Sequence, residues 1–234
     1  MAEELGKIEK PEVEKFREGR KLFFVPLVFA PPEPEAEFVE KVNAYWKEVD
    51  EHVKNLEAKL GAVSKIFHEL VPAGGSEGSM VIQQLNSASY QFALPRIVKG
   101  AEVQALEDTE LLTEFMDWSR CLSIGLQNQN VLSKIYELYS EVHAKRNEAM
   151  ARNLDEALQE KEIGVLLMRE GHRVQFPSDI EVFYVSPPGL DELKRWFRTR
   201  EAELEAMMKE EFEDAAREAG AKKPEDKPEE KAKE

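Results

Sequence analysis

The sequence predicts a helix-rich α/β protein with a small mixed or parallel sheet of about four strands, covered by long helices. Short runs of large apolar residues are typical of buried strands, and longer segments repeat apolar residues at helical spacings of three and four. The two kinds of segment follow one another along the chain, as they do in layered α/β domains. The 234 residues, 42% hydrophobic and 34% charged, are enough for one sizeable domain with an apolar core.

The first part of the chain reads as strand, helix, strand. Residues 22–29 (LFFVPLVF) predict a buried strand, in which Pro26 marks an edge or a bulge. The next segment is a helix that stops at Gly61, and its apolar face consists of Phe38, Val42, Tyr45, Val49, Val53, Leu56 and Leu60. Residues 62–71 (AVSKIFHELV) alternate as a strand does. If the two strands are neighbours in one sheet, we expect them to be parallel.

A glycine-rich segment follows the second predicted strand. Residues 72–79 (PAGGSEGS) predict a loop that leads into a helix beginning near residue 80. Residues 87–100 carry no firm pattern, and Pro95 and Gly100 indicate a broken helix or a loop.

Two helices are predicted in the middle of the chain. The first covers residues 107–126, and one of its sides carries Leu111, Phe115, Trp118 and Leu122. A turn built from QNQN ends it. Asn130 then caps a long helix that reaches about residue 160.

The last third contains two more strands and a final helix. Residues 163–168 (IGVLLM) and 180–185 (IEVFYV) are the strands, and the helix begins at the Ser186-Pro187-Pro188 segment. One face of this helix carries Leu190, Leu193, Phe197, Leu204, Met208 and Phe212. Such a stripe predicts a partner surface or a homo-oligomer contact through the last helix.

These elements predict three regions. Residues 1–20 are a charged N-terminal segment, and residues 21–219 form a single α/β domain. Within that domain, residues 87–160 either cover the sheet or form a helical subdomain. Residues 220–234 have no apolar side chain larger than alanine, so burial cannot offset their ordering entropy and we expect a disordered charged tail.

Composition and charge exclude several classes of function. A formal net charge of −15 argues against nonspecific binding of nucleic acid or anionic membrane, which depends on clustered Lys and Arg. No apolar run approaches the roughly 20 residues of a membrane helix, and the N-terminus lacks the apolar centre of a secretion signal. Cys121 is the only cysteine, which fits a reducing compartment. We expect a cytoplasmic protein that does not associate with membranes.

The strongest local candidate for an anion site is the glycine-rich segment. Between a strand and a helix, its backbone N–H groups could point at an anion, and its candidate residues are Gly74, Gly75, Ser76, Gly78 and Ser79. The segment lacks the lysine of a phosphate-binding P-loop, and Glu77 would repel phosphate. A flexible connection is the favoured alternative.

A second candidate lies on the long helix, where His143 and Arg146 share a stripe with Tyr139 and Met150. An arginine that faces the core needs a partner, so a buried pair with a carboxylate is the favoured interpretation. The alternative is a pocket in which Arg146 binds an anion and His143 transfers a proton. His68-Glu69 lies at the end of one predicted strand and His172-Arg173 follows another, so either pair could join a site at the strand ends.

No metal site or cofactor is expected. The remaining histidines have no close metal-ligand spacing, and a Cys-x-x-Cys pair is absent from the sequence. Cys121 shares a helix face with Asp117, a carboxylate that disfavours the thiolate. We therefore predict that Cys121 is a buried packing residue rather than a nucleophile.

The order helix, IGVLLMREGHRVQFPSDIEVFYVSPP, helix over about residues 146–198 resembles divergent prokaryotic relatives of the archaeal and eukaryotic class one release factors and pelota. The resemblance covers less than a quarter of the chain. It implies an α/β domain related to ribosomal RNA-binding proteins. The nearest counterpart of the release factors' Gly-Gly-Gln loop is Gly74-Gly75-Ser76, where serine replaces glutamine. The resemblance thus implies a pelota-like, ribosome-associated adaptor rather than a peptidyl-tRNA hydrolase.

Three functions remain open from the sequence. The favoured one is a noncatalytic cytoplasmic interaction protein with a protein partner, linked through the resemblance to translation or the ribosome. The second is an enzyme acting on a small anionic substrate, with the glycine-rich segment, His143 and Arg146 as its site. The third is a helical scaffold that oligomerises through its last helix.

Overall fold

A computed structural model describes residues 18–31 and 33–221 of the chain, with side chains as far as residue 212. The predicted class is confirmed: the protein is α/β, and its helices flank a fully parallel sheet. The sheet has five strands rather than about four, because the two residues of an additional short strand extend it at one edge.

The strands in chain order are β1 Arg20–Pro26, β2 Lys65–His68, β3 Glu102–Val103, β4 Ile163–Met168 and β5 Ile180–Tyr184. Their order across the sheet is β3-β2-β4-β1-β5, and every neighbouring pair is parallel. The carboxyl ends of all five strands therefore meet at one edge, which is where open parallel sheets bind ligands.

The position of β1 corrects one expectation and decides one question that the sequence left open. The strand lies inside the sheet between β4 and β5, so Pro26 does not mark an edge strand. Pro26 is instead its last residue, where a missing N–H removes little of the strand pairing. Because β4 lies between β1 and β2, the first two strands are not neighbours.

The helices are α1 Ala36–Leu60, α2 Gly75–Leu85, α3 Ser87–Val98, α4 Thr109–Ser123, α5 Gln129–Ala157 and α6 Pro188–Ala221. The predicted helix that stops at Gly61 is confirmed as α1. None of the described helices is long and apolar enough to span a bilayer.

Several helix assignments differ from the sequence predictions. Residues 87–98 form α3 despite Pro95, and the Asn86 side chain caps this helix by accepting the N–H of Ser89. The cap of α5 is Asn128 rather than Asn130, since its side chain accepts the N–H groups of the first turn. Finally, α6 continues to Ala221, one residue past the predicted start of the tail. Most of the predicted N-terminal segment and the rest of the tail lie outside the described residues.

The core lies on both faces of the sheet. Side chains alternate between the two faces of the sheet along each strand. On one face, the strand residues Leu22, Phe24, Phe67 and Leu166 share a buried cluster with Leu154 of α5 and with Leu158 at its end. On α1 the buried residues are Phe38, Tyr45, Trp46, Val49 and Val53, and the Tyr45 hydroxyl donates to the carbonyl of Pro26. The chain divides into two compact units after Leu190, the second being the remainder of α6 onward.

A candidate ligand cavity at the carboxyl edge of the sheet

Four charged side chains gather at the carboxyl edge, each from a different segment. Glu69 directly follows β2, Glu107 lies between β3 and α4, and Arg169 directly follows β4. Arg146 reaches the same place from α5. The parallel sheet explains this gathering, since it places the residues that follow each strand at one edge.

Arg146 is paired with Glu107 deep inside the protein. Its Nε donates to Oε2 at 2.8 Å, its Nη2 donates to Oε1, and the two side chains are only 3% and 0% exposed. The backbone N–H of Leu70 also donates to Glu107, at 3.0 Å. The carboxylate partner expected for an inward-facing arginine is therefore Glu107.

Glu69 forms a second buried pair, with Arg169. The Nη2 of Arg169 donates to Glu69 Oε1 at 2.7 Å, and the backbone N–H of Arg169 donates to Oε2 at 2.9 Å. Burial raises the pKa of Glu69, but the hydrogen bonds from Arg169 and the charges of Arg169 and Arg146 outweigh it, so the pKa lies below its ordinary value. Glu69 is thus an ionised carboxylate at neutral pH.

Arg169 keeps part of its guanidinium available. Its side chain is half exposed, and its Nε and Nη2 both point at Glu69. Within the described part of the chain, Nη1 of Arg169 donates no hydrogen bond. Glu69 therefore orients this arginine while leaving one of its ends able to bind another acceptor.

A stack of rings on α4 and α5 borders these charges. The His143 ring is nearly parallel to Tyr139, with centroids 5.8 Å apart, and it stacks on Phe115 at 5.5 Å. The Arg146 guanidinium lies over the Phe115 ring, 4.5 Å from its centroid. The stack gives the site a flat apolar wall.

The surroundings of His143 favour its neutral form. Burial lowers the pKa of His143, and the nearby charges of Arg146, Arg173 and Arg169 lower it further against the opposing charge of Glu69. Three guanidinium groups close enough to repel an imidazolium create a positive potential at this ring, which is the condition that attracts an anion.

His172 is a second neutral imidazole at the edge. Its ring packs on Phe24 and Phe176, with centroids 5.0 and 5.3 Å away. Burial lowers the pKa of His172, and the charge of Glu69 opposes that effect. Its Nδ1 is buried and has no hydrogen-bond partner among the described residues. An unpaired buried nitrogen of this kind costs stability unless a ligand or water satisfies it.

These groups border a cavity of about 300 Å³, here called the edge cavity, whose polar lining comprises Glu69, Tyr139, His143, Arg146, Asn147, Arg169, Glu170 and His172. A neighbouring cavity of about 650 Å³, the outer cavity, shares Tyr139, His143, Asn147 and Gly171 with it. The outer cavity adds one exposed cation, Arg173, and one exposed carboxylate, Glu148. The two are contiguous across His143.

The structure brings together only part of the predicted site. His143 and Arg146 both line the edge cavity, whereas residues 74–79 line neither described cavity. The predicted loop is in fact the start of α2: Gly74 is its N-cap, and Gly75, Ser76, Gly78 and Ser79 lie in its first turns. Gly78 serves packing, because an added Cβ would lie 2.3 Å from the carbonyl oxygen of Ala73.

His68 lies next to the site but outside the cavity lining. It is fully buried, with Nδ1 against the carbonyl oxygen of Glu69 and Nε2 3.0 Å from Ser89 Oγ. Burial lowers its pKa to about 4. His68 is therefore a neutral structural residue that helps to fix the end of β2.

Sequence reasoning missed Glu107 and Arg169 and weighed Glu69 only as a neighbour of His68. The available signal was position: each follows a strand directly or by a few residues, and charged residues there point to the ligand-binding edge.

In the described part of the chain, no group of three His, Cys, Asp or Glu is placed to hold a metal ion. Cys121 is half-buried rather than buried.

The fold and the site define a parallel α/β protein with a ligand-sized cavity at the carboxyl edge of its sheet. No protein-family model matches the chain. Comparison with curated proteins and with solved structures likewise finds no significant match. The release-factor and pelota resemblance thus remains a prediction from the sequence.

Proposed function

We propose that the protein binds a small anionic molecule in the edge cavity. Arg169 Nη1 holds the anionic group, the guanidinium of Arg173 attracts that group from the contiguous outer cavity, and the Tyr139–His143 stack contacts the apolar part of the ligand. The observation that carries the proposal is this pairing of an oriented arginine that has a free end with a flat aromatic wall in one cavity. Its volume falls within the range of small-molecule sites, about 300–1,000 Å³.

The proposal concerns binding rather than a particular reaction. General bases in enzymes are commonly oriented by a third group, such as a carboxylate bonded to the imidazole. Among the described residues, neither the His143 ring nor the His172 ring bonds a carboxylate. The two imidazoles therefore contribute ring surface and hydrogen-bonding nitrogen atoms to the ligand.

Thermal melting in different anions tests the proposal. Full-length protein is melted in chloride, phosphate, acetate and benzoate at matched ionic strength, and the binding of benzoate is then measured by calorimetry. Benzoate at ten times its Kd should stabilise the fold by about 1.4 kcal/mol, or several degrees in Tm. Acetate should have less effect because it cannot contact the ring stack.

Two variants locate the binding. Arg169→Lys should remove most of the benzoate effect while keeping a cation beside Glu69, and Arg173→Gln should weaken the effect less, because Arg173 lines only the outer cavity. Arg120→Gln is the matched control, since Arg120 is an exposed arginine on α4 that pairs only with Asp117 among the described residues. Equal anion effects in all three variants and the wild type would contradict the proposal.

A second candidate is the noncatalytic interaction protein that the sequence favours, with a cytoplasmic protein or ribosomal partner. The observation that favours it is the group of exposed apolar side chains on and between α4 and α5, namely Met116, Ile124, Val131 and Tyr136. Cosedimentation with ribosomes tests it. Binding that Ile124→Asp removes would support it, and absence of the wild type from the ribosomal pellet would oppose it.

A further inference from the structure

The His143 imidazole lies at the junction of the edge cavity and the outer cavity, and its ring lines both. Neither of its ring nitrogens bonds a described residue, and neither is shut off by surrounding protein as Nδ1 of His172 is. Tyr139 and Phe115 stack on the imidazole instead of bonding to its edge. Its nitrogen atoms are therefore accessible to a ligand in either cavity.

The charges around His143 come from three segments of the chain. Arg146 lies on the same helix, Arg169 and Arg173 follow β4, and Glu69 follows β2. Burial and the three guanidinium groups hold the pKa of His143 below its ordinary value, against the opposing charge of Glu69. Among the described residues, the other ionisable groups that line the two cavities or pair with these arginines are Tyr136, Tyr139, Glu107, Glu148, Glu170 and His172.

A bound anion changes this balance in favour of the charged ring. An anion bonded to Arg169 shares the edge cavity with His143, so it offsets the positive potential of the arginines and attracts an imidazolium. Hydrogen bonding acts in the same direction. An imidazolium donates from both ring nitrogens, whereas a neutral imidazole has one nitrogen that only accepts, as a carboxylate does.

We propose that the edge cavity takes up one proton together with its anion, and that His143 receives this proton. The proton comes from the solvent and forms an N–H bond at the unprotonated ring nitrogen. The inference rests on the proposed function and adds its regulation by pH. Because the anion stabilises the imidazolium, the pKa of His143 is higher in the complex than in the free protein. Anion affinity therefore rises as the pH falls through the pKa of the complex, and it levels off below the pKa of the free protein.

Calorimetry of benzoate binding at several pH values tests this coupling. Between about pH 7 and pH 5.5 the Kd should fall by about tenfold, since uptake of one proton changes the affinity by at most about tenfold per pH unit. The heat of binding should also vary with the ionisation enthalpy of the buffer, which counts the protons taken up. Benzenesulfonate stays ionised throughout this range and should show the same pH dependence, so titration of the ligand is not its source.

Histidine variants identify the group that takes up the proton. His143→Gln should bind benzoate with a Kd that does not fall with pH. His52→Gln is the matched control, because His52 is an exposed residue of α1 that lines neither cavity, and it should keep the pH dependence of the wild type. His172→Gln should also keep it. Proton uptake that persists in His143→Gln but is lost in His172→Gln would overturn the assignment to His143.

Nuclear magnetic resonance reports the protonation in the wild type, so this measurement does not depend on the folding of a variant. The chain has only four histidines, and the Gln variants assign their ring signals. At a pH where His143 is neutral in the free protein, saturating benzoate should move its signals to imidazolium positions and leave those of His52 unchanged. Benzoate binding without proton uptake, or with His143 signals that stay at neutral positions, would overturn the inference and leave the proposed function intact. Absence of benzoate binding at every pH would refute both.

Discussion

Removal of the Arg146 guanidinium should strongly destabilise the fold. In Arg146→Met the apolar part of the side chain is largely preserved, but Glu107 loses both of its charge-assisted hydrogen bonds. Its carboxylate is 0% exposed, so water cannot replace the lost donors. Breaking a buried pair by removing one partner costs about 3–5 kcal/mol.

The structure places this substitution toward the middle of that range. The backbone N–H of Leu70 still donates to Glu107 in the variant, which offsets part of the penalty. Glu69 loses a cation 3.6 Å away, although Arg169 still neutralises it. We therefore expect a loss of about 4 kcal/mol in the free energy of unfolding, or roughly 8–16 °C in Tm for a domain of this size.

Urea denaturation of the wild type and three variants provides the assay. Arg146→Met/Glu107→Leu should recover much of the lost stability, because it removes the abandoned carboxylate as well. Arg120→Met is the exposed control and should cost at most about 0.5 kcal/mol. A loss below about 1 kcal/mol for Arg146→Met would refute the reasoning, since the pair would then behave as a surface ion pair.

Three further substitutions test the packing and the protonation states in the structure. Gly78→Ala should cost about 1–3 kcal/mol because its Cβ would collide with the Ala73 carbonyl, whereas the exposed Ser76→Ala should be close to neutral by chemical denaturation. The folded-state pKa of His68 is about 4, below the ordinary value of 6.5. The contribution of the neutral ring to the free energy of unfolding is therefore complete above pH 6.5 and is lost as the pH falls toward 4. Between pH 7 and pH 5 the free energy of unfolding should therefore fall by about 2 kcal/mol more in the wild type than in His68→Gln. An equal fall in the two proteins would contradict the burial of a neutral ring. Cys121→Ala should cost less than about 1 kcal/mol, because the side chain is only half-buried, and thiol-labelling rates should match those of a half-buried thiol rather than a core one.

The pattern of apolar residues predicted the helices that bury one face and the strands that are buried on both faces. The seven apolar positions of α1 and the uninterrupted run in β4 each define an element without help from the rest of the chain. Two elements could not be found in this way. Pro95 argued against α3, where packing and the Asn86 cap outweigh it, and β3 has only two residues, too few for any pattern.

The candidate site was predictable in kind but not in partners. The stripe containing His143 and Arg146 implied a buried cation that needs a carboxylate, and the structure supplies one. Its identity could not be read from the sequence, because Glu107 is 39 residues away and reaches Arg146 only through the order of the strands. The glycine-rich segment resembled a loop because its glycines are permissive, whereas at Gly78 the helix needs the missing side chain for space.

Glu69→Gln tests whether Glu69 helps anion binding by orienting Arg169 or opposes it through its negative charge. This prediction rests on the proposed function. If orientation of Arg169 by Glu69 dominates, loss of the carboxylate should weaken binding by at most about 1.5 kcal/mol, the cost of ordering one long side chain. Coulomb's law gives about 2 kcal/mol for two unit charges roughly 7 Å apart at an effective dielectric constant of about 20. If charge dominates, removal of the negative group should strengthen anion binding by an amount of this order. The amide introduced by this substitution retains an acceptor oxygen for Arg169, so little orientation is lost and the Coulomb effect should prevail. We therefore expect Glu69→Gln to bind benzoate roughly 20- to 30-fold more tightly by calorimetry. The substitution should also lower the stability of the free protein, since Arg169 loses the only carboxylate to which it donates hydrogen bonds among the described residues. Weaker benzoate binding in Glu69→Gln would mean that Glu69 acts mainly by holding Arg169 in place.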